Sequence, residues 1–184
     1  MALKHGNSRQ QPEGAILQGG GVSPYEIKNR YEWDEYLGAL AKATGLTLAL
    51  VSPEGTLLQV QGRRNQLCRE IRASPEALTY VCSQSSAAMR AQVRRARAAL
   101  LDQCEVGLWY LTVPVIREGE VVALVNGCGQ KPDDEELESF MLAQQLKVTE
   151  GQAEALSRDV PQAEGVQIEA WGEKIFAELN PPRA

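Results

Sequence analysis

The sequence predicts an α+β fold, an antiparallel sheet flanked by helices, and three observations predict it. Two pairs of short, β-branched or apolar runs are each split by turn residues, which reads as two hairpins. Amphipathic helical periods lie before, between and after them, so strands and helices do not alternate as parallel βαβ units would. The chain has 184 residues, 43% hydrophobic and 23% charged, which suits one core with a tail.

The elements follow in order. Residues 1–28 are rich in Gly, Gln, Ser and Lys and show no apolar period over most of their length, so they read as a tail or a docking arm. Trp33, Leu37, Leu40 and Thr44 then recur at helical spacing, and Gly45 stands where a helix commonly ends. Leu46 to Val51, the turn residues Ser52-Pro53-Glu54-Gly55, and Thr56 to Val60 form the first hairpin. Leu67 to Arg72 is a short helix, and Ser74-Pro75 supplies a cap followed by proline at the first helical position.

A second helix start is expected at Ser83 to Ser86, after which Met89, Val93, Ala96 and Leu100 repeat on one face. Arg90, Arg94, Arg95 and Arg97 point mostly elsewhere and read as a solvated face. Leu108 to Ile116 and Glu120 to Asn126, joined by Arg117-Glu118-Gly119, are the central strands. Asp133 with Glu136 predicts a capping box ahead of Leu137, Phe140 and Met141, and Thr149 with Gln152 repeats the signature. Ile168, Trp171, Ile175 and Leu179 mark a last amphipathic helix. The division expected is therefore an arm (1–28), a central domain (29–147) and a helical extension (148–184).

Composition removes several function classes. No apolar run approaches the ~20 residues of a membrane span and the N-terminus lacks a secretory signal, so a cytoplasmic protein with no membrane partner is expected. A net charge of −5 argues against nucleic acid as the partner. The single histidine, His5, lies in a polar stretch, which leaves no basis for Ser-His-Asp, Cys-His or HExxH chemistry. Neither GxGxxG nor GxxxxGK[ST] occurs.

Cys68, Cys82, Cys104 and Cys128 have 13, 21 and 23 residues between successive members, without the paired spacing of a zinc finger. Their positions are more telling. Cys68 and Cys82 fall at or near helix starts, Cys104 enters a strand, and Cys128 sits between two glycines at a strand end, so four elements can converge. Four thiolates without histidine suit tetrahedral zinc or an iron–sulfur cluster. The other reading is four buried free cysteines acting as small hydrophobes.

The chain also resembles a known family, the PocR-type sensory domain, a ligand-binding module related to the PAS fold, over roughly residues 33–146. The resemblance is carried by Thr44-Gly45-Leu46 through Val51-Ser52-Pro53-Glu54-Gly55, by Cys68-Arg69-Glu70-Ile71-Arg72-Ala73-Ser74-Pro75-Glu76, and by Cys82. Cys104-Glu105-Val106-Gly107-Leu108, Val113-Pro114-Val115 and Gly127-Cys128-Gly129-Gln130 continue it. The family commonly has Cys-His-Ala-Gly-Leu where this chain has Cys104-Glu105-Val106-Gly107-Leu108, so a carboxylate replaces an imidazole. The resemblance implies a PAS-like sheet and a domain that binds a small organic molecule or another signal and passes a conformational change to an output.

The expectation is therefore a non-enzymatic sensor. It binds a small organic ligand, a cysteine-ligated zinc or iron–sulfur centre, or both, and signals through a homodimer or a regulatory partner. Trp109, Tyr110 and Asn126 are the ligand-binding candidates. Trp109 and Tyr110 are neighbours on one strand and face opposite ways, so one of them enters the core or pocket. The competing classes are a cysteine-dependent redox enzyme and a zinc-stabilised structural interaction protein.

Overall fold

Capping residues set where the chain turns. The computed structural model describes residues 22–133 and 136–182, so most of the expected arm and the acidic pair Asp134-Glu135 lie outside the described residues. Ser23 caps a single turn, α1 (Pro24–Ile27), and Asn29 caps α2 (Arg30–Thr44). Asn29 Oδ1 accepts from the Glu32 amide at 3.0 Å while a Glu32 carboxylate oxygen accepts from the Asn29 amide at 2.7 Å, satisfying helix-end N–H groups in both directions. The fully buried Trp33 donates its indole N–H to the Pro24 carbonyl at 3.0 Å and so pins α1 against α2.

The order continues as β1 (Thr47–Val51), β2 (Leu57–Gln61), α3 (Gln66–Ala73) and α4 (Pro75–Ala77). A π-helical turn, Leu78–Ser83, leads into α5 (Gln84–Ala96), followed by β3 (Leu100–Gln103), β4 (Trp109–Arg117) and β5 (Glu120–Cys128). The chain then runs through α6 (Ser139–Leu146), α7 (Glu150–Arg158) and α8 (Gly165–Leu179). The strands make one antiparallel sheet in the order β2-β1-β5-β4-β3. This is the α+β arrangement that the hairpins and helical periods predict, and the PAS-like sheet that the family resemblance implies.

Strand alternation gives the sheet two unlike faces. One face presents Leu48, Leu50, Leu111, Val113 and Val125 to Leu37 and Leu40 of α2 and to Ile168, Ile175 and Leu179 of α8, forming the main core. The other packs Val51 and Leu124 against Val93 of α5. It carries in register a polar row, Thr47↔Cys128↔Tyr110, beside Ala49↔Asn126↔Thr112. A separate helical cluster, with Leu67 and Ile71 from α3, Val81 from the π turn, Leu142 from α6 and Ala153 from α7, forms a second core.

Three expectations differ from the structure. Leu100 begins β3 instead of ending the α5 face, because Arg97 takes a left-handed conformation, φ 53°, and stops the helix at Ala96. Ser83 starts nothing: its backbone is helical and its side chain caps no amide, so one helical run extends from the Ser74 cap through the π turn. The capping box at Asp133 is not used either, and α6 begins at Ser139 with Phe140 56% exposed. The Lys131 backbone is already bonded to Pro161 and Ala163, and the Asp133 carbonyl accepts from the Gln162 side chain, which holds this stretch away from helix.

Because α8 completes the main core, truncating it acts on folding. Ile175→Ala is expected to lower unfolding free energy by about 2–5 kcal/mol, whereas Val166→Ala, at a position 67% exposed on the same helix, stays within about 0.5 kcal/mol. Urea unfolding of both variants checks this, and equal effects would separate α8 from the core.

Candidate functional site

All four cysteines of the chain meet where the second core abuts the polar end of the sheet. None is in a disulfide, and each is partly buried. Every one of the six pairings among Cys68, Cys82, Cys104 and Cys128 lies within electrostatic reach, and Cys128 feels the other three. They come from α3, the π turn, the turn between β3 and β4, and the end of β5.

Specific bonds hold these elements together. Asn65 caps α3, its Oδ1 accepting from the Cys68 amide at 2.7 Å, and its Nδ2 donates to the Gly129 carbonyl at 2.8 Å, tying Cys68 to the strand end that carries Cys128. Ser85 donates to the Val81 carbonyl at 2.7 Å and accepts from the Glu105 amide at 3.2 Å, which joins the π turn of Cys82 to the turn of Cys104. That second turn closes with Cys104 N–H to the Leu108 carbonyl at 2.7 Å and Gly107 N–H to the Cys104 carbonyl at 2.8 Å. Gly107 sits at φ 85°, a left-handed angle that favours glycine. The loop so formed aims the N–H groups of Val106 and Leu108 at the Cys104 sulfur.

Two opposed influences act on the thiols. Burial is the first cause that raises all four, pushing Cys68 up to about 12, and the neighbouring thiols raise Cys68, Cys104 and Cys128 further. Arg64 pulls Cys68, Cys82 and Cys128 back, Arg72 pulls Cys82 through charge and a hydrogen bond, and Asn65 helps at Cys68. The chain's own groups therefore keep four neutral thiols while offering cations and N–H donors to sulfur that becomes negative. Among the described residues, no three His, Cys, Asp or Glu side chains are placed to hold a metal ion.

A cavity of about 390 Å³ opens beside this cluster, between the polar face of the sheet and α5. Cys82 and Cys128 form part of its wall, and Tyr110 and Asn126 stand in its floor. Asn126 Nδ2 donates to the Tyr110 hydroxyl at 3.0 Å, and Ser86 is a second partner of that phenol. Burial pushes Tyr110 up to about 12. The third ligand-binding candidate, Trp109, lies on the opposite face, packed on the main core with its indole N–H donated to the Ala163 carbonyl at 2.9 Å.

Asn65, Ser85, Arg64 and Arg72 are contributors that sequence reasoning did not single out. Asn65 carried a usable signal, an Asx residue directly before a helical run, whereas the arginines gave none beyond Cys68 and Arg72 standing one helical turn apart.

A cavity between one sheet face and a helix is a place where a small molecule can bind. The family described as the sensory domain found in PocR matches the chain over residues 26–178, and the chain belongs to that family. The match runs from α1 into α8. No curated protein and no solved structure matches the chain. No helix among the described residues is long and apolar enough to cross a membrane.

Reactivity follows from the thiol environment. A thiol held near 12 instead of the ordinary 9.0 has on the order of a thousandfold less thiolate at pH 8. Iodoacetamide is expected to label Cys68 of the folded, reduced, metal-free protein far more slowly than in urea. The raised folded value also signs the pH dependence: this contribution is intact below the unfolded value and is lost as pH rises from about 9 toward 12. Mass-spectrometric labelling with and without urea checks the first point, and equal rates would contradict it.

Proposed function

We propose that this sensory domain reads its signal through a cysteine-ligated iron–sulfur cluster held by Cys68, Cys82, Cys104 and Cys128, next to a small-molecule pocket. The single observation that carries the reading is that the chain has four cysteines, on four separate elements, and all four gather in one place. Inert hydrophobic cysteines have no need of one another's company or of two arginines. A cluster is favoured over zinc because zinc draws its thiolates to within about 2.3 Å of one point, and no group placed for an ion is present among the described residues. A cluster is a larger body that accepts thiols set wider apart.

The surroundings support that donor set. Arg64 and Arg72 offset negative charge at the sulfurs, and the N–H groups around Cys104 supply the hydrogen bonds to sulfur that tune such centres. When bound, a cluster would supply one-electron redox chemistry or lability toward an oxidant. Cys82 rides on a six-residue π turn, a rare conformation found often at functional sites and convertible to α-helix by a one-residue shift. A change at the thiols thus has a route into α5, and output by contact with a regulatory protein or a second copy belongs to this reading, since a sensor must prefer one conformation over another.

Anaerobic purification with iron, sulfide and zinc analysis tests it. Iron and acid-labile sulfide in equal amounts, with visible absorption lost in each of the four Cys→Ser variants, is the expected result. Stoichiometric zinc would make the site a structural one, and absence of both metals would leave the organic pocket as the sensor's only input.

A further inference from the structure

The cavity beside the thiols has a second, chemically distinct end. Its lining holds three arginines, Arg64, Arg72 and Arg90, and no Asp or Glu, in a chain where acids outnumber bases 24 to 19. Arg64 and Arg72 act on the cysteines, while Arg90 acts on Tyr110. The one salt bridge among the described residues, Lys147 to Glu76, involves none of the three, so their charges face the cavity without a carboxylate partner among those residues.

Arg90 is built into place. It donates from Nη1 to the Ser86 hydroxyl at 2.8 Å, and its guanidinium lies under the β1–β2 turn, where a Cβ on Gly55 would stand 2.7 Å from the guanidinium carbon. Gly55 has φ 103°, so both its angle and the missing side chain make this seat. From Arg90 a chain of polar groups runs through Ser86 and the Tyr110 phenol to Asn126.

That chain ends on an unmet demand. Asn126 is 6% exposed and its Oδ1 has no hydrogen-bond partner. If the amide is turned over, its nitrogen takes the vacant place instead, so one polar atom is always left over. An unsatisfied buried amide is destabilising, a cost that a ligand's polar group can remove. Val60, Ala49 and Val51 supply an apolar wall beside it.

We propose that the Arg90–Tyr110–Asn126 end of this cavity binds a small organic carboxylate, the carboxylate on Arg90 and a second polar group on Asn126. Arg90, seated by Ser86 and with no carboxylate partner among the described residues, favours an anion, since guanidinium matches a carboxylate with two parallel bonds. A volume of about 390 Å³ admits a compact metabolite-sized anion. The inference rests on the sensory reading of the fold and needs no cluster.

Calorimetric titration of the full chain with succinate, L-malate, inorganic phosphate and neutral succinamide tests it, in the unsubstituted protein and in R90Q, N126L and C68S. Cys68 is outside the cavity lining, so C68S removes the proposed cluster while leaving this pocket. A carboxylate is expected to bind at least tenfold tighter than succinamide, to weaken at least tenfold in R90Q with partial recovery in R90K, and to be retained in C68S. N126L is expected to weaken L-malate more than succinate. Thermal unfolding of each variant without ligand guards against simple misfolding, and a chemical-shift map with the best carboxylate gives a second readout at Tyr110. No carboxylate binding up to 10-fold above millimolar concentration, equal affinity for succinamide, preference for phosphate alone, or indifference to R90Q would overturn the proposal. Unsubstituted protein that carries no iron after anaerobic purification, yet binds a carboxylate through Arg90, would end the cluster reading and leave this proposal standing.

Discussion

The structure depends on the two-residue alternation of β1, β5 and β4, which sends side chains from one backbone register to opposite environments. Leu111 and Val113 complete a dry core under α2 and α8, while Tyr110 and Thr112 between them stand on the face where the cavity lies. A slip of one residue would exchange these sets, placing Tyr110 and Asn126 in the hydrophobic core and leucines at the cavity. Everything chemically distinctive about the domain therefore rests on a register that Leu48, Leu50, Leu111, Val113 and Val125 enforce from the opposite face of the sheet.

Convergence of the thiols needs more than the sheet. Cys128 is delivered by the strand end, but Cys68, Cys82 and Cys104 belong to helices and turns that only second-core packing and two polar side chains bring close. Asn65 spends both ends of its amide, one on the α3 cap and one on Gly129. Ser85 does the same between the π turn and Glu105. These four bonds are buried or partly buried, and hydrogen bonds so placed are harder to exchange for solvent. The π turn, a departure from regular helix, carries Cys82.

The elements were legible where their signals are local. Gly45 and Ser74 announced their helix ends, and both hairpins were bounded by their turn residues. The four-residue strand β3 was hidden because Leu100 continues the Met89–Val93–Ala96 spacing, and only the backbone reversal at Arg97 separates strand from helix. Asp133 and Glu136 had the right letters for a cap, but nonlocal pairing with Pro161–Ala163 took the backbone first. The cysteines could be singled out by type, whereas the placing of Arg64, Arg72 and Arg90 around one cavity depends on three elements meeting in space.

Charge and size tie the two ends of that cavity together. A space of about 390 Å³ is roughly 9 Å across if compact, shorter than the ~10 Å Debye length at 0.1 M salt. Mobile ions therefore screen one wall from the other only in part. Negative charge at the thiol end competes for the field of Arg64 and Arg72, and negative charge at the Arg90 end is felt by the same cations. Any coupling of this kind is reciprocal: a charge change at sulfur that weakens an anion's hold is opposed to the same extent by the bound anion. One positive cavity with sulfur at one end and an unsatisfied amide at the other is thus suited to weigh two inputs against each other, with the helix that contributes Ser86 and Arg90 continuous with the π turn that contributes Cys82.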